Sequence, residues 1–131
     1  MKRGGSIVTH LRILLAEDNE LNQKVTLAML KHLGYKACTA LNGIEVLHAL
    51  ERRRYDLILM NIGMPLLDGI GATWEIRRRW PNGPRIVALT ARVLPEMKEK
   101  CFEAGMDDYI AKPVQLRELA EVLKKCSLEA Q

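Results

Sequence analysis

Five times along the chain an apolar run of strand length is followed by an amphipathic stretch of helix length, the alternation of an α/β domain built on a parallel sheet. Ile13-Leu14-Leu15-Ala16, Leu57-Ile58-Leu59-Met60 and Ile86-Val87-Ala88-Leu89 are apolar at every position rather than at every second one. Such runs suit strands covered by helices on both faces. Tyr35 to Ala40 and Tyr109 to Ala111, shorter or more polar, take the second and fifth strand places.

The segments between the strands carry helix start and stop signals. Asn19 is the expected cap of a first helix that Gly34 stops, with Leu21, Val25, Ala28 and Leu33 as its buried stripe. Asn42 caps the second, with Glu45 at capping-box spacing and Ile44, Leu47 and Leu50 facing inward. Asp68-Gly69 opens the third helix; Pro95 opens the fourth, which Gly105 ends. The fifth is expected from Leu116 to about Lys125, behind a weak capping residue, Gln115.

A length of 131 residues suits one domain, and 48% hydrophobic with 27% charged residues excludes overall disorder. The expected division is an N-terminal extension over 1–10, the domain over 11–126 and a tail over 127–131. On that division no output domain is expected within these 131 residues. No apolar run approaches the roughly 20 residues of a membrane span, and residues 1–6 lack a signal-peptide core, so a cytoplasmic protein is expected. Cys38, Cys101 and Cys126 are scattered and odd in number, which fits reduced thiols rather than a zinc site or a redox pair. His10, His32 and His48 show no ligand spacing.

Twenty basic against sixteen acidic residues give a net charge of +4, too mild for a dedicated nucleic-acid binder. Arg52-Arg53-Arg54 and Arg77-Arg78-Arg79, the second run flanked by Trp74 and Trp80, read as cations opposing the negative ends of helix dipoles. Salt-sensitive nucleic-acid binding is the rival reading of those runs, and the mild net charge argues against it.

In an open parallel sheet a ligand site lies beyond the carboxyl ends of the strands. Glu17-Asp18 follow the first strand, Asn61 the third, Thr90 the fourth and Lys112 the fifth. Two neighbouring carboxylates are hard oxygen ligands suited to Mg²⁺. A hydroxyl and an ammonium can hold the equatorial oxygens of a transferring phosphoryl group. The inventory is that of a magnesium-assisted phosphoryl site with one acid replaced by an amide.

Leu14-Leu15-Ala16-Glu17-Asp18-Asn19, Asp56-Leu57-Ile58-Leu59-Met60, Met64-Pro65-Leu66-Leu67-Asp68-Gly69, Ala88-Leu89-Thr90-Ala91 and Asp108-Tyr109-Ile110-Ala111-Lys112-Pro113 together resemble the response-regulator receiver domain of two-component signalling. The similarity runs from about Leu11 to Leu123. It implies a doubly wound, flavodoxin-like sheet of order 2-1-3-4-5 with helices on both faces. It also implies phosphoryl transfer from a histidine kinase or histidine phosphotransfer protein to an aspartate after strand three, the place held here by Asn61. By the same resemblance Glu17 and Asp18 match the metal-binding acids, and Gly63 the residue whose carbonyl also ligates the metal. Thr90 and Tyr109 match the switch pair, Lys112 the phosphoryl-binding lysine, and Pro113 a proline preceded by a cis peptide. The face of helix four, strand five and helix five is the family's usual binding surface and a place for self-association.

The neutral amide of Asn61 cannot attack phosphorus to give a stable acyl phosphate, so the principal reaction is expected to be absent. Losing one anionic ligand should weaken Mg²⁺ binding, while leaving two rather than three clustered carboxylates should stabilise the metal-free fold. Asn61 is either an introduced substitution that blocks the acceptor or the natural residue of an acceptor-less receiver acting as a constitutive interaction module. A phosphatase with an aspartate nucleophile would need a DxD arrangement after strand one, which Glu17-Asp18-Asn19-Glu20 does not supply.

Overall fold

A computed structural model describes residues 11–91 and 94–130. The extension expected over 1–10, with His10, lies outside the described residues, as does Gln131 at the end of the expected tail. The elements alternate as β1 (Ile13–Ala16), α1 (Glu20–His32), β2 (Ala37–Ala40), α2 (Gly43–Arg52), β3 (Leu57–Asn61), α3 (Gly69–Arg79), β4 (Arg85–Thr90), α4 (Pro95–Ala104), β5 (Asp108–Ala111) and α5 (Leu116–Ala130). All four strand pairings are parallel and the order is β2-β1-β3-β4-β5, the expected doubly wound sheet.

Successive residues of each central strand face opposite sides, so the two faces hold separate cores. Ile13, Leu15, Leu57, Leu59, Val87 and Leu89 pack with Leu30 of α1 and with Leu119, Val122 and Leu123 of α5. Leu14, Ile58, Met60, Ile86 and Ala88 pack with Val46 of α2, Ala72 and Ile76 of α3 and Cys101 of α4. Every residue of β1 and β3 is buried, which is why these strands read as continuous apolar runs. The edge strand β2 is shorter than expected and starts at Ala37; its Cys38 and Thr39 are exposed.

Helix α1 buries a different face from that expected, and α2 the expected face without Ile44. In α1 the inward residues are Thr26 and Leu30, with Leu27, Met29 and Leu33 packed beside them; Leu21, Val25 and Ala28 are exposed. Four apolar side chains fit a helical spacing on either face of this helix, and only the direction in which it crosses the sheet selects one. In α2 the buried residue is Val46, with Leu47 and Leu50 partly covered, while Ile44 is 40% exposed.

The caps follow the sequence. Asn19, Asn42 and Asp68 accept the N–H of Asn22, Glu45 and Gly71 at 2.9, 2.9 and 2.7 Å. Glu45 reaches back one residue further than a capping box requires and accepts the Leu41 N–H at 2.8 Å. Gly34 and Gly105 take φ of 93° and 113°, a left-handed conformation that ends α1 and α4 without the steric cost of a Cβ. Helix α5 runs past the expected Lys125 to Ala130, so the boundary expected after Cys126 falls inside it. Ser127 is buried with its hydroxyl 3.3 Å from that of Tyr35.

Candidate functional site

The parallel register brings the ends of β1, β3 and β4 level. Ala16 pairs with Met60, Asn61 with Leu89, and the N–H groups of Glu17 and Ile62 continue the ladder to Ala40 and Leu89. Glu17, Asp18 and Asn61 therefore leave the sheet side by side. Lys112 follows β5 and donates its backbone N–H to Thr90 at 2.8 Å, which ties the far end of the crevice to β4.

Asn61 is the hub of a closed hydrogen-bond network. Its Nδ2 donates to Glu17 Oε2 at 3.0 Å, Asp18 Oδ1 at 3.1 Å and the Gly63 carbonyl at 3.2 Å. Its Oδ1 accepts from Lys112 Nζ at 3.0 Å. An ammonium only donates and carboxylate and carbonyl oxygens only accept, so these partners dictate which way the amide faces. Two N–H groups serve three oxygens, so one is shared.

Glu17 is 1% exposed, yet each carboxylate oxygen is satisfied. Oε1 accepts from Lys112 Nζ at 3.1 Å, and Oε2 accepts from Asn61 and from the Asn19 N–H at 3.1 Å. A buried carboxylate is tolerated only when paired and hydrogen-bonded in this way. Asp18 is exposed, so the crevice opens to solvent on its side.

Glu17, Asp18 and the Gly63 carbonyl, which together with the Asn61 amide oxygen are the set expected to hold a metal, converge on one point, the Asn61 Nδ2. Three oxygens around one position suit a hard divalent cation, and the residues present fit Mg²⁺. Among the described residues no cluster of three or more Asp, Glu, His or Cys side chains is available for a metal, as follows from an amide standing in the third place.

Thr90 is buried at the end of β4, one residue beyond the Leu89 that pairs with Asn61. Tyr109 lies half-buried on the α4 side of the sheet, its ring beneath Lys98 Nζ, 4.5 Å from the centroid, and edge-on to Phe102. The Lys112–Pro113 peptide is cis.

In the sequence Gly69 reads only as the opening of a helix, and Leu66 has no role of its own. A Cβ on Gly69 would lie 2.5 Å from the Asn61 carbonyl oxygen and 3.0 Å from the Met60 side chain, so α3 approaches the end of β3 closely only because this residue is glycine. Its N–H closes the loop on the Ile62 carbonyl at 2.8 Å. Leu66, 80% exposed, has a φ of 67°, an unfavourable backbone for a branched residue, and no local signal announces it.

Residues 13–124 match the model of the response regulator receiver domain. The chain is 48% identical over 126 residues to histidine protein kinase 1 of Candida albicans and 41% identical over 124 residues to hybrid signal transduction histidine kinase F of Dictyostelium discoideum. These alignments cover 88% and 91% of the chain but only 5% and 11% of the two relatives. Among solved structures, the receiver domain of a sensor histidine kinase from Pseudomonas aeruginosa PAO1, with magnesium coordinated in its active-site cleft, is 47% identical with a TM-score of 0.81; the match covers 88% of this chain and 96% of that one. The co-crystal structure of the Saccharomyces cerevisiae histidine phosphotransfer signaling protein Ypd1 with the receiver domain of its response regulator Ssk1 matches at 27% identity and a TM-score of 0.88, covering 95% and 94% of the two chains. No helix among the described residues is long and apolar enough to cross a membrane. A shared sheet order, a family match along nearly the whole domain and an acid–amide–lysine crevice at the strand ends agree, and the chain belongs to the response regulator receiver domain family.

Proposed function

We propose that this domain is a phosphorelay receiver whose acceptor position is blocked by Asn61, and that its partner is a histidine kinase or a histidine phosphotransfer protein. The observation that carries the reading is the convergence of Glu17, Asp18, the Gly63 carbonyl and Lys112 on the single side chain of residue 61. Asn61 holds the place of the nucleophile, Lys112 meets its oxygen, and the two acids with the Gly63 carbonyl surround the cation position. When bound, Mg²⁺ supplies charge neutralisation for a phosphoryl group. An amide oxygen lacks the negative charge needed for attack on phosphorus, so the reaction stops at binding. Thr90 and Tyr109 take the switch role, and the Pseudomonas and Ypd1-bound neighbours support the metal and the partner class.

The Asn61 amide also occupies the cation's place. Its Nδ2 satisfies the same oxygens that a metal would take, and turning Oδ1 toward them would set Nδ2 against the Lys112 ammonium. Mg²⁺ binding is weakened by this competition as well as by the lost charge.

The test is intact-mass measurement after incubating the chain and its Asn61→Asp form with Mg²⁺ and a small phosphodonor such as acetyl phosphate. The Asn61→Asp form gains one phosphoryl group and the parent none. An unmodified Asn61→Asp protein overturns the site assignment. A constitutive interaction module acting without phosphorylation is the second reading, favoured by the satisfied hydrogen bonds of the Asn61 amide.

A further inference from the structure

A cleft lies at the opposite end of the sheet from Asn61. It has a volume of about 780 Å³ and is floored by the amino ends of β3 and β4, where Asp56 and Arg85 lie. The arginine runs at the ends of α2 and α3 meet there, because these helices are parallel neighbours on one face of the sheet. Arg53 and Arg54 from the first run, Arg77 and Arg79 from the second, and Arg85 all line the cleft. Opposition to a helix dipole explains a cation or two at each helix end, but not that both pairs face one concavity together with Arg85 of β4.

The acidic groups nearby are already engaged. Asp107 accepts from Arg77 at 2.9 Å and from the Ile86 N–H at 2.8 Å, and Asp56 accepts the Arg12 N–H at 2.8 Å. Glu51 pairs with Arg79, which holds its carboxyl below the usual carboxylate range. Among the described residues no carboxylate is within ion-pair distance of Arg53 or Arg54, and both are exposed. The guanidinium carbon of Arg79 sits over the Trp80 ring, 4.4 Å from its centroid, so a partly apolar aromatic wall adjoins the cationic one. A wall for an aromatic base, guanidinium forks for phosphate oxygens and a volume within the range of small-ligand sites are the requirements for holding a nucleotide.

We propose that this cleft binds a purine nucleotide, with Arg53 and Arg54 pairing its phosphates and the Arg79–Trp80 wall taking its base. The occupant is a small phosphorylated molecule rather than a macromolecule, because the arginines surround a hollow and do not form a stripe.

Trp74 is 57% exposed on α3, and Trp74→Phe leaves Trp80 as the sole tryptophan and a reporter inside the cleft. This variant of the full chain is titrated with GTP, ATP and cyclic di-GMP in EDTA, which removes metal from the Asn61 crevice. At least one of them is expected to change Trp80 emission saturably. Arg53→Ala with Arg54→Ala then weakens that binding by about tenfold or more. Arg52→Ala with Arg78→Ala removes the same charge from the same helix ends but outside the cleft, and leaves binding within about twofold. Circular dichroism checks that both double variants stay folded. No saturable change at millimolar nucleotide, equal weakening in both double variants, inorganic triphosphate binding as tightly as GTP, or displacement of nucleotide by a DNA duplex or an acidic peptide at lower concentration each overturns the proposal.

Discussion

Truncating the Asn61 side chain to a methyl group separates two effects that a carboxylate at this position would confound. Asn61→Ala offers a cation no ligand, yet it removes the Nδ2 that sits among Glu17, Asp18 and the Gly63 carbonyl. If the amide competes with the metal, Asn61→Ala binds Mg²⁺ about tenfold more tightly than the parent, the equivalent of one charge-assisted hydrogen bond of about 1.5 kcal/mol. If Asn61 acts only as a poor ligand, the alanine form binds no better; calorimetric titration decides between them. The same logic sets the metal-free stability of Asn61→Asp. Three donated hydrogen bonds are exchanged for a third carboxylate beside two others, and urea denaturation in EDTA is expected to show a loss of roughly 1–3 kcal/mol that Mg²⁺ reverses.

Helix α1 shows how an element's register is decided. Leu30 is fully buried against β1, β3 and α5 residues, whereas Val25 is 47% and Leu21 70% exposed. Leu30→Ala therefore costs roughly 2–5 kcal/mol of unfolding free energy. Val25→Ala changes it by less than about 0.5 kcal/mol, since a surface site loses little burial and alanine favours the helix. Chemical denaturation of the two variants checks this, and the reverse order would restore the stripe read from the sequence. Helix ends were legible where a side chain acts on its own backbone, as with Asn19, Asn42 and Asp68. The buried face of α1 was not, because that helix carries apolar residues on more than one side, whereas in α2 Leu47 and Leu50 face the core as expected and only Ile44 does not.

Across the whole molecule the three thiols report on different layers. Cys38 is exposed on the edge strand, Cys126 is buried in the layer with α1 and α5, and Cys101 is buried in the opposite layer, where burial pushes its thiol up. A thiol reagent is expected to label Cys38 rapidly in the native protein. Cys101 and Cys126 then become reactive together along a urea gradient, because both layers share one sheet and open cooperatively. Separate midpoints for the two buried thiols, followed by mass spectrometry, would show that the layers unfold independently.

Strand places, helix caps and the residue types at the ends of β1, β3, β4 and β5 could be read from the chain alone, because continuous burial and backbone capping leave local signatures. The amide at position 61 was equally plain, and with it the expected loss of the acceptor. Only the folded molecule decided which face of α1 is covered, how far α5 extends, and that Asn61 points its nitrogen at Glu17, Asp18 and the Gly63 carbonyl and its oxygen at Lys112. These depend on residues tens of positions apart arriving at one place. The arginine runs make the same point, since separate helix ends in the sequence become the walls of one cleft through the parallel packing of α2 and α3.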